Sequence, residues 1–158
     1  MYVGIDPGIT GAIAVLDNDG SLLLLEDMPT IARGKGKSIV KRQVNPAALH
    51  EILKPWSTST ATLEAVNSRP GQGVASVFSL GDSFGCIRSV LAVLSMSADF
   101  VAPQTWKKHY NITSDKEIAR AKAIQLYPAA SLHRKKDADR AEAILIARFG
   151  YEKYRANG

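Results

Sequence analysis

The chain has one cysteine, Cys86, among its 158 residues. A lone thiol closes no intramolecular disulfide and builds no cysteine-based zinc site. His50, His109 and His133 are not spaced as metal ligands, and no Ser-His or Cys-His arrangement for nucleophilic catalysis is suggested. No unbroken apolar run approaches the roughly 18 residues of a membrane span. The N-terminus lacks the basic segment leading into an apolar one that marks a secretory signal. A cytoplasmic protein is therefore expected. Repeats and domain linkers are also missing, so residues 1–158 read as one domain, long enough to bury a sizeable core.

What is present is ordinary in amount and uneven in placement. Hydrophobic residues make up 46% and charged ones 22%, the balance of a globular protein. The net charge of +5 is a mild bias toward polyanions. Its cations gather in three places. Arg33, Lys35, Lys37, Lys41 and Arg42 lie in a Gly-rich segment, 29–44, without core-facing periodicity. That segment reads as a loop, either solvated or a phosphate-contacting flap. Lys107 and Lys108 follow Trp106, a composition found at nucleic-acid surfaces and equally in a packed Trp on a basic helix end. Arg134, Lys135 and Lys136 precede the last helical pattern.

The N-terminal stretch organises the rest. Tyr2–Ile5 and Gly11–Leu16 are apolar, β-rich runs joined by Asp6-Pro7-Gly8-Ile9-Thr10, where Pro7 and Gly8 favour a turn. Asp6 thus closes a buried strand. Gly4, Gly8 and Gly11 leave the backbone around it bare, with room for a charged ligand. Asp17-Asn18-Asp19-Gly20 turns the chain again, and Ser21–Glu26 returns as a third antiparallel strand. Asn45-Pro46 starts a helix that ends at Pro55. Thr60–Val66 reads as a fourth strand with Glu64 inside it, and an unpaired buried carboxylate costs several kcal/mol. A polar loop, Asn67–Gly73, leads into a helix from Val74 to about Met96. Its small residues suit close packing, either on the sheet or against a second copy, with Phe78 and Phe84 near the candidate interface. Ala98–Ala102 is a fifth strand. Ser114 is a candidate cap for a helix through Leu126, and a final helix covers 137–149.

Asp139 and Glu142 are three apart, so they share a helix face, which continues into Ile146 and Phe149. Four carboxylates, Asp6, Glu64, Asp139 and Glu142, then come from separate elements. A pair of Mg²⁺ or Mn²⁺ ions justifies such crowding: both take oxygen ligands, and two ions about 4 Å apart clamp a phosphodiester displacement. A strand-end Asp also serves the sugar kinase and actin-like ATPases. Those proteins need a second phosphate loop, and nothing after residue 66 supplies one.

Asp6-Pro-Gly-x-Thr-Gly, Glu64 on the fourth strand and Lys135-Lys-Asp-x-x-Arg-Ala-Glu resemble the RuvC-type Holliday-junction resolvases, in particular their phage, bacterial and plant-chloroplast branch. The loop Arg69-Pro-Gly-Gln-Gly and Pro103-x-x-Trp-Lys-Lys resemble that branch too. In place of the His-Gly common there, this chain has Ala138-Asp139, which leaves Asp137 as an alternative to Asp139 for the fourth acid. The resemblance implies an α/β, ribonuclease H-like fold: a five-stranded mixed sheet, its first three strands antiparallel, flanked by helices. It implies a homodimer that nicks a four-way DNA junction in pairs, using two Mg²⁺ or Mn²⁺ ions held by Asp6, Glu64, Asp139 and Glu142. The three cation clusters would then grip phosphates, while Arg69 and Gln72 lie where bases at the crossover pass. Two alternatives remain: a related nuclease for other branched DNA or RNA–DNA hybrids, and a non-catalytic junction-binding protein.

Overall fold

A computed structural model describes residues 1–34, 41–68 and 70–157. The candidate DNA contacts Lys35, Lys37 and Arg69 lie outside the described residues. The elements run β1 (Tyr2–Asp6), β2 (Ala12–Leu16), β3 (Leu22–Asp27), β4 (Thr30–Ala32), β5 (Arg42–Val44), α1 (Pro46–Leu53), β6 (Thr60–Glu64), α2 (Val74–Val93), β7 (Ser97–Val101), α3 (Pro103–His109), α4 (Lys116–Leu126) and α5 (Ala138–Asn157). The main sheet has the order β3-β2-β1-β6-β7. Strands β1, β2 and β3 pair antiparallel, whereas β6 joins β1, and β7 joins β6, in parallel. This is the expected mixed sheet.

Several local expectations are corrected. The supposed loop at 29–44 contains a two-stranded antiparallel ribbon, β4–β5, with Ile31 opposite Gln43. Three-residue strands are too short to display a period, so the sequence shows none. Asp115, not Ser114, caps α4, accepting the Glu117 N–H at 2.9 Å. Strand β6 stops at Glu64 instead of Val66, and α5 extends to Asn157 after a 3-10 turn at Lys135–Asp137. The start of α1 is as expected: Asn45 accepts the Ala48 N–H at 3.2 Å, with Pro46 at the first helical position.

Side-chain alternation divides the core in two. Val3, Ile5, Ile13, Val15 and Leu63 face α1 and α2, packing on Leu49, Leu53, Ile87 and Leu91. Ala12, Ala14 and Leu16 face the other side, against Trp106, Ala119, Ala143, Ile144 and Ala147 of α3, α4 and α5. Tyr2, Gly4 and Asp6 share the parity that points toward α5. A Cβ on Gly4 would clash with the Ala143 carbonyl and the Ala147 amide, so α5 lies directly on β1 there. Gly11 likewise excludes a side chain because the Asp6 carbonyl occupies the space. These two glycines serve close packing rather than ligand room, which corrects the sequence reading. Gly8, at φ +122°, is the one of the three that opens onto a groove.

Helix α2 buries only one side. Ser83, Ile87, Val90 and Leu91 face the core. Val74 and Val93 are largely exposed, Phe78 is 56% exposed, and a Cβ on Gly81 or Gly85 would meet open space. Phe84 turns inward instead, in edge contact with Phe100 at 6.0 Å. By length and composition alone α2 is long and apolar enough to cross a membrane, although Asp82, Arg88 and several serines interrupt its apolar sequence.

Candidate metal centre and its flanking grooves

The acids meet because of strand parity and the Gly4 contact. Asp6 and Glu64 each lie one step beyond the paired residues Ile5 and Leu63, on neighbouring parallel strands and toward the same face. From Gly4 to Asp6 the strand advances while the facing helix recedes from Ala147 and Ala143 to Glu142 and Asp139. One carboxylate oxygen each from Asp6, Asp139 and Glu142 lies within 4.8 Å of the others. Asp6 and Glu142 are buried, and Asp139 is half-buried. Glu64 stands beside this trio, its charge acting on Asp6. An all-oxygen donor set with this crowding suits a hard divalent cation such as Mg²⁺ or Mn²⁺.

The acids repel one another in a buried place. Burial holds the Asp6 carboxyl well above the usual carboxylate range, and the charges of Glu142, Glu64 and Asp139 push it further. Burial also raises Glu64, against the opposing effect of a hydrogen bond from the Trp106 indole N–H at 2.7 Å. Trp106 is fully buried. It is a packed residue holding an acid, not a nucleic-acid surface.

Two lysines reach into the cluster. Lys107 Nζ donates to Glu142 Oε1 at 2.8 Å, and Lys116 pairs with Asp139 and lies 3.8 Å from Glu142 Oε2. Lys116 resists deprotonation: burial opposes its charge, but the bond to Asp139 and the nearby acids outweigh it. Lys107, expected at a phosphate, has an acid of the site as its partner here. Lys116 is absent from the sequence-based candidates, although it carries a signal. It is the first residue of α4, where the helix dipole disfavours a cation unless an acid answers it.

Asp137 is committed elsewhere. It accepts the Arg134 backbone N–H at 2.9 Å and two guanidinium N–H groups, one at 2.7 Å. The Arg134 guanidinium pulls its carboxyl down to about 2. Arg140, unassigned from sequence, anchors the start of α5 by donating twice to Asp27 at the end of β3, at 2.6 and 3.0 Å.

The other candidate contacts are spread around the cluster. A groove of about 610 Å³ begins at Pro7 and Gly8, next to Asp6, and is lined by Lys41, Arg42, Gln72 and Ser76. Arg42 also bonds Thr30 Oγ1 at 2.8 Å. A second groove, about 490 Å³, takes in Lys107 and Lys108. Arg33 is tied to Asp82 at 3.2 Å and stacked over Phe78 at 4.8 Å. Lys135 and Lys136 are exposed on the 3-10 turn before α5.

No family model matches the sequence, and no curated protein does. Solved structures do match. Thermus thermophilus RuvC in complex with a Holliday junction substrate aligns with a TM-score of 0.67 at 15% identity, covering 98% of this chain and 93% of that one. A second T. thermophilus RuvC structure aligns with a TM-score of 0.60 at 14% identity, covering 98% and 95%. The fold is that of RuvC. Within the RuvC fold, β1 and α5 supply three of the clustered acids here, and β6 supplies Glu64 alongside.

Proposed function

We propose that this protein is an endonuclease that resolves four-way DNA junctions by paired, divalent-metal-dependent hydrolysis of phosphodiesters. The observation that carries the reading is the convergence of Asp6, Asp139 and Glu142 at one end of a RuvC-fold sheet. The T. thermophilus RuvC structure that holds a Holliday junction supports the choice of substrate. Asp6, Glu64, Asp139 and Glu142 are the proposed ligands of two Mg²⁺ or Mn²⁺ ions. Asp137, saturated by Arg134, is not among them. Bound divalent ions supply the Lewis acidity that phosphodiester hydrolysis requires.

The chain's own groups do the rest. Trp106 fixes the orientation of Glu64, and Arg140 fixes the start of α5. Lys107 and Lys116 neutralise the acids and would turn to the phosphate if a divalent ion were held by those oxygens. A junction with two-fold symmetry needs two cuts, which a C2 dimer provides. The exposed apolar side of α2, with Val74, Phe78, Gly81 and Gly85, is the proposed contact with the second copy.

The test is nicking of a labelled four-way junction beside duplex, flap and RNA–DNA hybrid, with Mg²⁺, with Mn²⁺ and with chelator, and with light scattering to read the assembly. Paired nicks on the junction that need metal and come from a dimer are expected. Preference for flap or hybrid would make it a different nuclease; tight junction binding without cleavage in either metal would make it a binding protein. Asp139→Asn should be inactive in the same assay while Asp137→Asn still cuts, and the reverse would exchange their roles.

A further inference from the structure

Two grooves flank the acids at the ends of β1 and β6, one toward each face of the sheet. The first lies on the α2 side and starts at the residue after Asp6. The second lies between α3 and the start of α4, on the α5 side, and includes Lys107, whose ammonium touches Glu142. No acid lines the second groove. Lys108 is exposed there and has no carboxylate partner among the described residues. The side chains of Gln104, Asn111 and Ser114 make no hydrogen bond to another described residue, so donors face the groove uncommitted. Asn111 stands in the left-handed region, at φ 53°, where α3 ends, and the chain then bends around the half-buried Ile112.

A cation without an acid, neutral donors without acceptors and an apolar floor match the chemistry of a sugar–phosphate chain. Lys107 and Lys108 disfavour a cation there. The β4–β5 groove has the same character, with Lys41, Arg42 and Ser76 and no acid. A strand crossing the acid cluster would leave one groove and enter the other.

We infer that the α3–α4 groove binds the backbone of the cleaved strand on one side of the reacting phosphate, and the β4–β5 groove binds it on the other. This rests on the proposed nuclease reading and adds the path of the strand, with Lys108, Asn111 and Ser114 as DNA-binding groups beyond the metal site. Interactions with phosphates of this kind set register without reading sequence.

The experiment is a methylphosphonate scan. Each phosphate of the cleaved strand is neutralised in turn, and the wild type is compared with Lys108→Ala and Lys41→Ala. Both lysines are exposed, so folding is not at issue. Two groups of sensitive phosphates are expected, one on each side of the cut. Lys108→Ala should erase sensitivity in one group only, and Lys41→Ala in the other only. The salt slope of binding should fall by about 0.7–0.9 for each lysine–phosphate pair removed. An unchanged pattern in Lys108→Ala, or loss of the same group in both variants, overturns the inference. The scan is read by binding in chelator as well as by cleavage. A bound but uncut junction would therefore sink the proposed reaction while the groove assignment is still judged.

Discussion

The two ends of α5 solve opposite problems with the same residue types. At the N-terminal end Asp139 and Glu142 join Asp6 and Glu64, and burial plus mutual repulsion raise Asp6 far above its ordinary range. At the C-terminal end Glu152 is surrounded by donors: Arg148 at 2.7 Å, His109 at 2.7 Å and the Tyr110 hydroxyl at 3.4 Å. Burial pushes Glu152 up, but the bonds from His109 and Arg148 outweigh it, and its carboxyl titrates below the ordinary range. Arg148 also reaches Tyr127, whose hydroxyl donates to the Gly20 carbonyl at 3.0 Å. One end matches charge with charge and holds the helices together. The other gathers four acids around two lysines, and Asp6 stays raised in spite of them. Burial among like charges and burial among donors thus move Asp6 and Glu152 in opposite directions.

The comparison is broken most directly at Asp6. Its raised folded-state value means that the folded protein is penalised as pH climbs through the unfolded value, about 3.9, and fully so above the folded one. Asp6→Asn removes that penalty. At pH 7 in chelator the variant should melt higher than the wild type, while cleavage falls to background. Mg²⁺ should raise the melting temperature of the wild type, because it binds only the folded chain, and should do little for the variant. A lower melting temperature in chelator would make Asp6 a structural anchor and erase the contrast with Glu152.

Trp106→Phe sharpens the comparison with a smaller effect. The ring stays buried but loses the N–H that holds Glu64. Partners that orient a metal ligand are typically worth 10–100-fold in metal affinity or activity. The Mg²⁺ concentration for half-maximal cleavage should therefore rise by about 10–100-fold, with much of the rate recovered at saturating metal. An unchanged metal requirement would leave Trp106 as core packing only.

The contrast between the ends explains what is legible in the sequence. Glu64 stands out because a charge inside an apolar strand has no cheap explanation, and Asp6 because it closes a buried one. Asp139 and Glu142 are readable because their spacing places both on the helix stripe that continues into Ile146. The sheet follows from short apolar, β-rich runs separated by clear turns. What escapes depends on tertiary distance. The Trp106–Glu64 bond spans 42 residues and the Lys107–Glu142 pair 35, and neither leaves a local pattern. The role of Gly4 is hidden because only the packed helix shows what fills the space. The β4–β5 ribbon is too short to announce itself, and choosing Asp139 over Asp137 needs the Arg134 bonds in view.

The smallest expected effect lies at the matched end. Glu152→Gln keeps the shape of the side chain and removes the charge that answers Arg148 and His109. Leaving hydrogen-bonding groups partly unsatisfied costs about 1–3 kcal/mol, so the variant should unfold at lower denaturant at pH 7. The sign with pH follows from the lowered folded-state value. The stabilisation from Glu152 is present above the unfolded value of about 4.3 and disappears as pH falls through the folded one. Denaturant curves of the two proteins should therefore separate at pH 7 and converge in acid. Cleavage per folded molecule should hardly change, because Glu152 lies at the far end of α5 from the acid cluster. A variant that kept its stability but lost cleavage would show that the knot reaches the site through α3, which carries both His109 and Lys107, and the two ends would then be one system.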